Sequence, residues 1–119
     1  MKAIHLICHP TTLGWQDLHA VSGRPGTYIS KCWILREGDP KELVGGYLYL
    51  HKTSYKAAGF AARVLSVEAS LTKGGVPGYA FTVRRVLQRN QRWRGRTPSQ
   101  NRHHGGIVEA CFANESDAA

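Results

Sequence analysis

Gly45-Gly46-Tyr47-Leu48-Tyr49-Leu50-His51, then Lys52 to Ala58, then Gly59-Phe60-Ala61-Ala62-Arg63-Val64-Leu65-Ser66-Val67-Glu68 is the stretch on which the fold turns. Its first part alternates with period two. Tyr47, Tyr49 and His51 face one way and Leu48 and Leu50 the other, which is a strand pattern and not a helical one. Residues 52–58 form a polar loop. From Gly59 to Glu68 a further strand is long enough to bend, with Phe60, Ala62, Val64 and Ser66 opposite Ala61, Arg63, Leu65 and Val67.

Upstream, Ala3 to His9 alternates in the same way. Ile4, Leu6 and Cys8 lie on one side and His5 and Ile7 on the other, until Pro10 stops the strand. Thr11 and Thr12 are placed to cap a short helix around Trp15 to Val21. Gly23-Arg24-Pro25-Gly26 is a turn, and Tyr28 to Leu35, rich in β-branched and aromatic residues, is a strand. Asp39-Pro40-Lys41-Glu42-Leu43 opens a second short helix: Asp39 caps, Pro40 fits the first position and Glu42 suits a capping box. Gly45-Gly46 ends it.

Downstream, Tyr79 to Leu87 is a strand, with Phe81, Val83 and either Arg85 or Leu87 on one face. Gln88 to His104 holds Gly95, Pro98 and hardly an apolar residue besides Trp93, so a long basic loop over 88–106 is expected. Ile107 to Phe112 is a last strand. These elements predict a mainly β (α+β) chain of five to six strands with one or two short helices. They would form one domain over 1–113, with a flexible tail at 114–119. A small closed or nearly closed β-barrel is the expected solution, because closure removes exposed strand edges.

Charge is segregated. Residues 69–108 contain Lys73, Arg84, Arg85, Arg89, Arg92, Arg94, Arg96 and Arg102 and no Asp or Glu, so this stretch alone carries the formal +8. Arginine presents a planar fork suited to phosphate. Arg interleaved with Trp93 and with the neutral amides Gln88, Asn90, Gln91, Gln100 and Asn101 is the composition of a nucleic-acid surface. No apolar run reaches the length of a membrane span. Met1 to Leu6 lacks the unbroken apolar region of a signal peptide, so a cytoplasmic location is expected. The odd cysteine count, Cys8, Cys32 and Cys111, argues against a disulfide framework.

The segment 45–67 with Trp33 before it resembles the PUA-like superfamily, which includes the EVE, ASCH and YTH domains. The likeness covers roughly residues 28–68; Gly46 stands where the family often has Asp, and the EVE N-terminal signature is absent. The resemblance implies a PUA-like pseudo-β-barrel that binds RNA, or a single flipped modified base in a pocket between strands. Trp15 and Trp33 would wall that base pocket, and His51, Lys52 and Ser54 would supply its polar edge. Arg84, Arg85, Arg89, Arg92, Trp93, Arg94, Arg96 and Arg102 would hold the nucleic-acid backbone.

Two other functions are open at this point. A small ASCH-type hydrolase acting on a modified nucleoside would use Lys52 and Thr53 with Glu68 or Glu109. A protein-interaction module would use the arginines on an acidic partner. Neither cofactor nor metal is called for: His5, Cys8 and His9, and likewise His103, His104 and Cys111, lack a recognised ligand spacing. In a strand, His5 and Cys8 also point to opposite faces.

Overall fold

A computed structural model describes residues 1–12, 14–35, 38–87, 91–95 and 104–109. The strands are β1 (Lys2–Ile7), β2 (Pro10–Thr11), β3 (Gly14–Trp15), β4 (Leu18–Ala20), β5 (Thr27–Trp33), β6 (Tyr47–His51), β7 (Phe60–Leu71), β8 (Pro77–Arg85) and β9 (His104–Glu109). Seven of them make one sheet in the order β4-β5-β8-β7-β6-β1-β9, and β2 and β3 form a small hairpin of their own. The chain is mainly β, as its alternating patterns imply.

Among the described residues the sheet does not close into a barrel. Its edges are β4, which is three residues long, and β9. A short edge strand is itself a defence against edge pairing. The centre of the sheet is also buried on both faces, which an open sheet allows. One face carries Ile4, Leu6, Cys8, Leu48, Leu50, Phe60, Ala62, Val64, Phe81 and Val83. The other carries Ala3, Tyr47, Tyr49 and Ala61, with His5 and His51 buried among them. The alternation read at 47–51 is therefore real, but neither side faces water.

Pairing within the centre is mixed. β1 runs parallel to β6, with Ile4 opposite Leu48 and Ile7 opposite His51, and β6 runs antiparallel to β7. A bulge between Val64 and Ser66 shifts β7 by one residue. Beyond it Val67, not Ser66, stands opposite Phe81 and packs on the first core.

Two expected helices come out differently. Trp15 to Val21 is not helical: it turns through Gln16 and Asp17 into β4, which pairs with β5 from Leu18 opposite Ser30 to Ala20 opposite Tyr28. Asp17 adopts a left-handed φ of 55° there, a conformation Asp tolerates better than most residues. Pro40–Leu43 does form, as a single 3₁₀ turn, with Asp39 accepting from the Lys41 N–H at 3.0 Å.

Gly46 has a steric reason. A Cβ there would fall on the Lys2 carbonyl oxygen and press on the Leu43 carbonyl at 3.1 Å. An Asp at this position would have no room in this backbone. The last strand starts at His104 and not at Ile107, because His104 pairs with Leu6 of β1, so 104–106 belong to the sheet and not to the expected 88–106 loop; its expected continuation to Phe112 and the tail lie outside the described residues.

Candidate nucleic-acid interface

The parallel pair β1–β6 brings His5 and His51 together, although they are distant in sequence. His5 Nδ1 and His51 Nε2 are 2.7 Å apart, and His51 Nδ1 lies 2.8 Å from the Lys56 carbonyl oxygen. A carbonyl only accepts, so His51 carries its proton on Nδ1 and accepts at Nε2. His5 must then donate from Nδ1, and its Nε2 is unprotonated. Burial, the neighbouring His51 and the Arg94 guanidinium push the His5 pKa from 6.5 down to about 3. Burial also lowers that of His51. Both rings are therefore neutral near pH 7.

Trp93 sits on this pair. Its ring lies edge-wise to His51 at 5.2 Å and to His5 at 6.0 Å. His5 in turn stacks on Tyr49 at 4.6 Å, Tyr49 on Tyr47 at 6.1 Å, and the Arg63 guanidinium lies 5.8 Å over Tyr47. A continuous row of rings thus crosses the second face from Arg63 to Trp93.

Beside Trp93 opens a groove of about 560 Å³, lined by Ser54, Tyr55, Lys56, Ala57, Arg92 and Trp93. Its two walls are tied to the same base. The 52–57 wall is held by His51 through the Lys56 carbonyl. The 91–95 wall is held by Trp93 on the histidines and by the Ala58 N–H donating to the Gln91 carbonyl at 2.8 Å. No carboxylate lines the groove among the described residues. Tyr55, an aromatic residue in a polar loop, is the residue that sequence reasoning missed; its 93% exposure marks it here.

The arginines do not form one surface. Arg84 and Arg85 are neighbours in β8 and so take opposite faces. Arg85 lies over the Phe60 ring at 5.8 Å and lines a cavity of about 260 Å³ with Trp15, Tyr28 and Phe60. Arg84 stands directly opposite Arg63 across the β7–β8 ladder, on the Tyr47 side. Like charges so placed repel, and among the described residues neither is in an ion pair. Arg92 and Arg94 are exposed on either side of Trp93. Arg89, Arg96 and Arg102 lie outside the described residues, as do His103 and Cys111.

The residues expected to build one base pocket are spread over three places. Ser54 lines the groove, His51 is buried beneath it and Lys52 is exposed nearby. Trp15 lines the Arg85 cavity. Trp33, its Nε1–H donating to Ser30 Oγ at 2.7 Å, lines a cavity of about 220 Å³ with Cys8, His9, Asp17, Lys31 and Cys32. Asp17 and Cys32, the latter at φ 67°, are the non-glycine residues with left-handed backbone among those described, and both line this cavity. Such strain is often found at binding sites. The cavity and the groove both begin at the carboxyl ends of β1 and β6, where the Cys8 N–H donates to the His51 carbonyl at 2.9 Å.

The hydrolase set does not assemble. Lys52 and Thr53 follow the carboxyl end of β6, whereas Glu109 pairs with Lys2 at the amino end of the parallel strand β1. Glu68 lies beyond the β7 bulge, opposite Ala80. Among the described residues no three His, Cys, Asp or Glu side chains gather as metal ligands, and no helix is long and apolar enough to cross a membrane. No protein-family model, curated protein or solved structure matches the chain.

Proposed function

We propose that this chain is a nucleic-acid-binding module of PUA-like type, taking RNA or a flipped modified base. The observation that carries the reading is the groove at the carboxyl ends of β1 and β6, where Trp93 and Tyr55 stand with Arg92 and Lys56 and, among the described residues, no carboxylate. Cations hold phosphates without regard to sequence, and aromatic rings hold bases by stacking. The Arg63–Arg84 pair extends the basic character along the same face. The strained, polar cavity beside Trp33 is the seat for a flipped base.

The test is equilibrium binding of labelled RNA and DNA over a series of salt concentrations, with polyglutamate as a second anionic ligand. A nucleic-acid module binds the nucleic acid more tightly. Its log affinity falls linearly with log salt, with a slope set by the number of phosphates neutralised. Tighter binding of polyglutamate would instead make the basic surface a protein contact.

A further inference from the structure

We infer that the groove between residues 52–57 and 91–95 holds one unpaired base between Tyr55 and Trp93, so that the partner is a single strand and not a duplex. This rests on the nucleic-acid reading and narrows it. Tyr55 is 93% exposed, more than any other large apolar side chain described. It is not idle surface, because it shares one groove with Trp93, Arg92 and Lys56. The volume of about 560 Å³ lies within the range of small-molecule sites and is ample for a nucleoside.

The walls are positioned before binding. Tyr55 lies two residues after Thr53, whose Oγ1 accepts its backbone N–H at 3.3 Å, and precedes Lys56, whose carbonyl is held by His51 at 2.8 Å. Trp93 rests on the same His51 and on His5. One buried imidazole pair therefore anchors the Lys56 backbone of one wall and the Trp93 ring of the other, which lowers the ordering cost of binding. A duplex keeps its bases stacked inside and offers this groove phosphates alone, so the Tyr55 and Trp93 rings would receive no base. A single strand offers a π-face to the rings and a phosphate to Arg92 together. An acidic peptide would satisfy the cations but not the stacking walls.

The experiment compares the full chain with Tyr55→Ala and Tyr55→Phe. The probes are a short single-stranded RNA, its DNA equivalent, the duplex, and a single strand carrying abasic positions. The expected result is tighter binding of the single strand than of the duplex. Tyr55→Ala should lose about 5- to 150-fold in affinity, as removal of one stacking partner does. Its salt slope should stay the same, because no charge has been removed. Tyr55→Phe keeps the ring and should bind as the wild type. Abasic positions should weaken the wild type more than Tyr55→Ala, which keeps only the Trp93 wall for the base.

Equal binding of duplex and single strand, or no effect of Tyr55→Ala, overturns the single-strand seat while leaving nucleic-acid binding standing. Binding of none of the four probes overturns both. Since Tyr55 packs on no core, the variant's circular dichroism and urea midpoint should match those of the wild type.

Discussion

Acid should loosen this protein through His5, and the amount follows from its burial. The folded ring is neutral, with its pKa held down at about 3 by burial, by His51 and by Arg94. In the unfolded chain it titrates at its ordinary 6.5. Between these values the unfolded state binds one more proton. Stability is therefore intact above the unfolded pKa and falls by about 1.4 kcal/mol for each pH unit below it. From about pH 7.5 to about pH 5 that amounts to a loss of about 2 kcal/mol from this one group. His51, also lowered, acts in the same direction. Glu109, whose carboxyl is held down by Lys2, contributes only at more acid pH. A domain of ordinary stability, about 5–15 kcal/mol, would register the change clearly.

The assay is urea unfolding followed by tryptophan emission at a series of pH values, for the wild type and His5→Gln. Glutamine does not titrate and keeps a donor for His51. The variant's own stability at neutral pH is immaterial; what counts is that its loss between about pH 7.5 and about pH 5 should be smaller by about 2 kcal/mol. Parallel pH curves would refute the buried neutral pair.

The remaining predictions concern the frame and the basic face. Gly46→Ala drives a Cβ into the Lys2 carbonyl and should cost at least about 2 kcal/mol in urea unfolding, as overpacking against fixed backbone does; an unchanged midpoint would mean β1 and β6 are not so closely set. Arg84→Gln relieves the repulsion from Arg63 and should leave thermal stability equal or raised by about 0.2–1 kcal/mol. Together with Arg63→Gln it should lower the salt slope of nucleic-acid binding by about 2.

Much of the frame was legible in the sequence because period-two patterns survive wherever a strand is packed. Tyr47 to His51 alternated correctly, and odd spacing put His5 and Cys8 on opposite faces. The Trp15–Val21 segment was misread because Thr11 and Thr12 can cap a turn as readily as a helix. The turn it makes instead depends on a left-handed Asp17, which composition does not reveal. The bulge at Val64–Ser66 is a property of the ladder and not of β7 alone, so the inward turn of Val67 was invisible. The site was harder. His5 and His51 meet only because β1 and β6 pair in parallel at one particular register. Tyr55 acquires meaning only once Trp93 is seen across the groove. Arginine count announced a surface, but alternation along β8 had already separated Arg84 from Arg85.

Trp93 is the side chain that a nucleic acid in this groove must meet. Intrinsic tryptophan emission should be titrated with single-stranded RNA at two salt concentrations, for the wild type and Trp93→Phe. Saturable quenching that weakens at the higher salt and is largely lost in Trp93→Phe is the predicted result. Emission that is unchanged by RNA at either salt would contradict the claim that this groove binds nucleic acid.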